Sequence, residues 1–191
     1  MNQLNKIALV VSKVLEVLHW IGAAAAAGLL VCAVVAGDWI CGILTRVMPE
    51  LGKNLSVYGY EMTAVGADGK VRYAAVILFS IGAVLILSLM AMVFRNIYLI
   101  FKTAKGKTWF SKGSTPFQKD ITRMVREIGI FYIAVPAAGL IMSGISRLVL
   151  GTEFAEISVN LEGFITGILI LCLSQIFAYG AQLQNDVDGL L

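Results

Sequence analysis

The chain has 191 residues, of which 59% are apolar and 14% charged, against roughly 25% charged in a soluble domain. With a mean hydropathy of +0.85, that composition excludes an ordinary water-soluble globule. Fifteen basic against twelve acidic residues leave a net charge of +3, too small to indicate a nucleic-acid binder, so no direct nucleic-acid partner is expected and the placement of the charges carries the information.

In chain order, four apolar stretches, Ile7 to Ala36, Ala74 to Phe101, Ile128 to Leu150 and Phe164 to Leu183, each meet the requirement of about 20 residues for a bilayer-crossing helix. The first holds Lys13, Glu16 and His19, which puts the start of its lipid-embedded part near Val17. Its apolar run exceeds the h-region of about 7 to 15 residues of a signal peptide and its n-region is weakly basic, so an uncleaved anchor is expected. The predicted fold is an all-α membrane protein, a four-transmembrane-helix bundle in one domain over 1–191. Its spans lie at about 17–37, 74–101, 128–150 and 164–183, with outer loops 38–73 and 151–163 and a cytoplasmic basic loop 102–127.

The sidedness follows from lysine and arginine. Lys102, Lys105, Lys107, Lys112, Lys119, Arg123 and Arg126 face only Asp120 and Glu127 between the second and third spans, which places that loop in the cytoplasm. Segment 38–73 balances Arg46, Lys53, Lys70 and Arg72 against Asp38, Glu50, Glu61 and Asp68, and the last loop carries Glu153, Glu156 and Glu162 with no base, so both belong outside. Both termini are then cytoplasmic.

The first outer loop presents Leu55, Val57, Tyr58, Tyr60, Met62 and Val65 before Ala67-Asp68-Gly69-Lys70, and Asp-Gly between such runs predicts a hairpin turn. Phe154, Ile157, Val159 and Leu161 alternate loosely with small or polar residues and are expected to add a further strand, giving a small extracytoplasmic sheet as a cap.

In the basic loop, Lys105-Gly106-Lys107 and Lys112-Gly113-Ser114 are turn-like. Thr115-Pro116-Phe117-Gln118 then supplies an N-cap, a proline at N1 and Gln at N3, the pattern of a capping box. Phe117, Ile121, Met124 or Val125, and Ile128 recur at helical spacing while Lys119, Arg123 and Arg126 share the opposite face, so an amphipathic helix leads into the third span. Lys112, Lys119, Arg123 and Arg126 are the candidate contacts to a partner or to anionic lipid, and lipid anchoring at roughly 1 kcal/mol per basic residue needs no further partner.

The residues that carry chemistry are sparse. Gly106-Lys107-Thr108 resembles the end of a phosphate-binding loop, but Phe101 stands where that pattern needs a glycine, and an apolar helix precedes it in place of a strand. One histidine and three cysteines, Cys32, Cys41 and Cys172, have none of the paired spacings of metal or redox motifs. Asp186-Val187-Asp188-Gly189 lacks the remaining ligands of a calcium loop and reads as a helix end terminated by Gly189. No cofactor, metal or catalytic set is expected.

Ionisable groups inside a bilayer are costly and raise a functional question, which singles out Glu16 and His19 beside Lys13. Gln175, with Ser174, is expected to hydrogen-bond between helices. Gly22/Ala26, Ala24/Gly28, Gly139/Ser143 and Gly163/Gly167 are spaced by four and favour close helix packing, within one chain or in a homo-oligomer, and Pro136 is expected to bend the third span.

Two segments carry a resemblance. Thr115-Pro116-Phe117 opens the basic helix, and Gln175-Ile176-Phe177-Ala178-Tyr179-Gly180-Ala181-Gln182-Leu183-Gln184-Asn185-Asp186-Val187-Asp188-Gly189-Leu190-Leu191 closes the chain with a glycine, a Leu-Gln pair and an acidic end. In these the whole chain resembles the bacterial tetraspan membrane protein family known as domain of unknown function 2975. The resemblance implies a location in the bacterial inner membrane and, by association, a cytoplasmic helix-turn-helix regulator as partner. It implies no catalytic residues. The function expected is that of a non-enzymatic integral membrane protein, a sensor or regulatory partner acting through the outer sheet and the basic loop, with a small transporter or channel subunit as the alternative.

Overall fold

The computed structural model describes residues 3–47, 55–111 and 115–188. The chain is mostly helical. Helix α1 spans Gln3–Val47, strands β1 and β2 span Leu55–Val57 and Tyr60–Met62, and α2, α3 and α4 span Tyr73–Thr103, Lys119–Leu150 and Leu161–Asp188. All four helices are long and apolar enough to cross a membrane, as a multi-pass membrane protein requires. Helices serve here because each closes its backbone hydrogen bonds within its own segment. In their most apolar windows, 44% of α2 and 39% of α3 are buried within the protein against 6% of α1 and 17% of α4, so α2 and α3 supply most of the packed faces.

Two boundaries depart from expectation. Residues 38–47 are helical where a loop was expected, because Trp39, Ile40, Ile43 and Leu44 prolong the apolar pattern at helical spacing. The continuation follows a break at Ala36, whose φ of −138° and ψ of 48° are not helical, and the next residue is Gly37, where a Cβ would overlap the Tyr73 ring. The second departure concerns the capping box. Helix α3 opens at Lys119, and Gln118 C=O accepts the Thr122 amide at 3.0 Å, which makes Gln118 the N-cap. Thr115 instead accepts the Phe117 amide at its Oγ1, at 3.2 Å, in a turn before the helix, and Gln118 Nε2 donates to Thr115 C=O at 2.8 Å. The Thr115 hydroxyl thus closes a turn ahead of the helix, and the first intrahelical carbonyl is that of Gln118.

The chain divides into two compact units. The first comprises Met1–His19, Leu89–Ala134 and Glu162–Leu191, and the second Trp20–Ser88 and Val135–Leu161. In the first, Ile121, Met124 and Val125 are buried against Leu99, Ile100, Ala104, Phe110, Ile170 and Phe177, while Lys119, Arg123 and Arg126 are exposed. The predicted amphipathic helix is thus the first turns of α3, which runs on through Pro136. Close packing in this unit centres on Gly129 and Gly167. A Cβ built on Gly167 would lie 3.0 Å from Gly129 O, and one on Gly129 would lie 2.8 Å from two Leu171 side-chain carbons, so the backbones of α3 and α4 meet where neither carries a side chain.

In the second unit β1 and β2 pair antiparallel, with Leu55 opposite Met62, Ser56 opposite Glu61 and Val57 opposite Tyr60. The two-residue turn is Tyr58-Gly59, with φ of 48° and 85°, the pair of positive values that matches the twist of a tight hairpin. The Asp68-Gly69 turn is also present: Gly66 and Lys70 are hydrogen-bonded across it at 2.9 Å and Val65 bridges Val71. The further strand expected from 154–161 does not form. Segment 151–160 is irregular; among the described residues it meets the hairpin region through the backbone bond of Thr63 N–H to Phe154 C=O at 2.8 Å and through Asn160 beside Gly59. Its apolar side chains divide between buried Phe154 and Ala155 and exposed Ile157 and Val159, which is not the alternation a half-buried strand maintains.

The glycine contact sets a packing test. Gly167→Leu should destabilise the chain by about 1–3 kcal/mol through overpacking, read as a lower thermal unfolding midpoint in detergent. Gly144→Ala, where a Cβ would meet nothing within 4 Å, should leave that midpoint unchanged.

Candidate functional site

A buried polar site lies in the second unit. Tyr60, on β2, is 0% exposed although its strand belongs to a small two-stranded hairpin. Its ring stacks on Phe79 of α2 with centroids 5.9 Å apart, and its hydroxyl lies 3.0 Å from Ser146 Oγ of α3 and 3.1 Å from Met62 Sδ. With the serine donating to the phenol and the phenol donating to the thioether, every group is satisfied. The space for the ring comes from Gly82, where a Cβ would sit 2.5 Å from Tyr60 Cε1, while Gly139 approaches the Tyr60 backbone from α3. The tyrosine therefore fastens the hairpin to both helices. Burial pushes its ionisation above the ordinary tyrosine value of 10.0, and the Ser146 hydroxyl pulls it back only in part.

Beside the hairpin lies a cleft of about 480 Å³ lined by residues of both loops, among them Ser56, Glu61, Thr63, Glu153 and Glu156. Its three glutamates are exposed, so the potential there is negative and open to water.

The first unit holds the ionisable residues named from the sequence. Glu16 is buried, with 9% of its side chain exposed, and its Oε2 is 3.0 Å from Lys13 Nζ on the same face of α1. His19 Nδ1–H donates to Leu15 C=O at 2.7 Å and its ring lies 5.0 Å from that of Phe94. The histidine proton is thereby held on the helix backbone. Gln175, by contrast, is exposed on α4, and Ser174, though buried, donates to Leu171 C=O of its own helix at 2.7 Å. The interhelical bond expected of this pair is a local one, because a serine hydroxyl reaches the carbonyl of the preceding turn at no conformational cost.

Of the basic candidates, Lys112 lies outside the described residues, as does Gly189. Arg123 pairs along its own helix with Asp120 at 3.8 Å and Glu127 at 3.5 Å, leaving Lys119 and Arg126 as exposed cations without a carboxylate partner among the described residues. Of the packing candidates, Gly167 sits at the α3–α4 contact, Gly163 and Ala26 are half-buried, and a Cβ on Gly22 would meet Leu87 at 3.3 Å.

Three residues escaped the sequence reading. Tyr60 ranked only as one apolar member of a strand, and nothing in its neighbours marked it as buried. Asn96, buried on α2, donates to Glu127 Oε2 at 3.0 Å; a lone asparagine in an apolar helix was the available signal. Tyr98 gathers Lys102 from one turn along its own helix, which local spacing could have shown, and Lys13 from α1, which it could not. Compared with known protein families, curated proteins and solved structures, the chain matches none.

Two outcomes follow for Tyr60. Tyr60→Phe strips Ser146 of its partner and should cost about 1–3 kcal/mol, whereas Tyr60→Ala should cost about 3–5 kcal/mol, both measured as unfolding midpoints in detergent. The raised ionisation makes the neutral phenol part of the native state. Its contribution should be complete below pH about 10 and decline as pH rises through the folded value. A tyrosinate absorbance titration should show one group ionising late in the wild type and none late in Tyr60→Phe.

Proposed function

We propose that this chain is a non-enzymatic protein of the bacterial inner membrane, in the family of domain of unknown function 2975, working as a sensor or regulatory partner. The hairpin and its acidic cleft face outward, and the basic segment and both termini lie in the cytoplasm. The observation that carries this reading is the seating of Tyr60. A hairpin of two three-residue strands is too small to hold its shape in water, yet this one is fixed through a buried tyrosine to α2 and α3, the two helices that flank the basic segment. Anything that shifts the hairpin bears directly on those helices, and Lys119 and Arg126 on the first turns of α3 offer unneutralised cations to a partner such as a helix-turn-helix regulator, or to anionic lipid. The lysine and arginine asymmetry supports the sidedness.

A second reading, a small transporter or channel subunit, draws on Glu16, a buried carboxylate in an apolar helix. Flux through proteoliposomes that falls on Glu16→Gln would favour it.

The sensor reading is tested in a background with Cys32, Cys41 and Cys172 replaced. An impermeant thiol reagent on intact cells should label Asp68→Cys and miss Ser111→Cys, and the opposite pattern refutes the arrangement. Tyr60→Ala should then change the reactivity of Ser111→Cys in opened membranes by about fivefold, a hairpin perturbation of about 1 kcal/mol reaching the basic segment. Unchanged reactivity would leave the hairpin without a signalling role.

A further inference from the structure

The first unit contains a group of cations distinct from the exposed Lys119 and Arg126 of α3. Lys13 Nζ, from α1, lies 5.3 Å from the centroid of the Tyr98 ring, and Lys102 Nζ, one helical turn beyond Tyr98 on α2, lies 5.6 Å from the same centroid. Lys105 follows at the end of α2 and donates to Asn5 C=O of α1 at 3.5 Å. Glu16 answers one of these charges, through Lys13. Neither Lys102 nor Lys105 has a carboxylate partner among the described residues. Ammonium groups drawn to a single ring repel one another, and a ring quadrupole offsets that repulsion only weakly where water has access.

An anion between them would remove the repulsion. A phosphate group suits the arrangement: its several acceptor oxygens take N–H donors from more than one direction, and lysine binds phosphate as a mobile point charge that needs no fixed fork. Basic groups gathered between two helices at the edge of an apolar span are also where phospholipid headgroups bind.

We propose that Lys13 and Lys102, both drawn to Tyr98, with Lys105 beyond them where it bonds α1, form a binding site for a phosphate group, supplied by the headgroup of an anionic phospholipid. It is separate from the exposed cations of α3, and its lipid source rests on the membrane reading above, whereas its phosphate chemistry does not.

The full chain, purified in a neutral detergent, is titrated separately with short-chain phosphatidylglycerol, short-chain phosphatidylcholine and inorganic phosphate. Binding is followed by protection of Lys13 and Lys102 from an amine-reactive label, quantified by mass spectrometry, and by the thermal unfolding midpoint. Phosphatidylglycerol should protect both lysines and raise the midpoint, and phosphatidylcholine should do neither. Lys13→Gln/Lys102→Gln should weaken the midpoint response by about thirtyfold in lipid concentration, roughly fivefold per lysine. Lys119→Gln/Arg126→Gln should leave it within about twofold. Lys102→Arg keeps the charge and should retain most of the response, which separates loss of binding from loss of fold. Protection by inorganic phosphate at comparable concentration would uphold the phosphate site and reject the lipid as its source. Failure of carbonate-washed membranes to retain the chain would count against the membrane reading alone. Equal responses from the double variant and the wild type, or a lower midpoint with an unaltered lipid titration, would overturn the site and leave Lys102 and Lys105 as counter-charges to the negative end of the α2 dipole.

Discussion

Wherever side chains leave water for hydrocarbon, the backbone must satisfy its own hydrogen bonds, and an α-helix does so without help from any other segment. This constraint organises the chain. It is consistent with α3 running on through Pro136. It also frees the helices from having to bury every apolar residue on one another. Helix α1 leaves Val31, Val34, Val35 and Trp39 exposed, an arrangement costly in water and neutral against lipid tails.

Where the helices touch, particular residues set the contact. Gly129 and Gly167 let two backbones approach. Asn96 joins α2 to Glu127 of α3, and Thr115 Oγ1 donates to Gln184 Oε1 of α4 at 2.6 Å. In the second unit Tyr60 serves the hairpin, α2 and α3 together. The hairpin is accordingly better described as a plug held by one aromatic side chain than as a sheet standing on its own, since six paired residues bury too little to be stable alone.

The electrostatic features are of two kinds. Exposed pairs such as Arg123 with Glu127 are screened and contribute little to stability. More informative are Lys119 and Arg126 on the exposed face of α3, without a carboxylate partner among the described residues, and the lysines drawn to Tyr98. On the proposed topology both sets lie on the cytoplasmic side, where the membrane surface is negative, so lipid and protein partners would compete for the same kind of charge.

Length, hydropathy and the helical spacing of Ile121, Met124, Val125 and Ile128 were enough to locate the four helices and the amphipathic start of α3, because those properties belong to a segment and do not depend on what it packs against. The Asp68-Gly69 turn was legible for the same reason. Tertiary contact decided the rest. A strand from 154–161 would have needed a paired edge, and among the described residues the hairpin region offers it one backbone bond, from Thr63. The cap of α3 moved to Gln118 once Thr115 found Gln184 and the Phe117 amide. Tyr60 and Asn96 took their roles from residues far away in the chain, and Tyr98 drew one of its two lysines from α1. Burial and pairing are properties of neighbours in space, and local sequence pattern does not specify those neighbours.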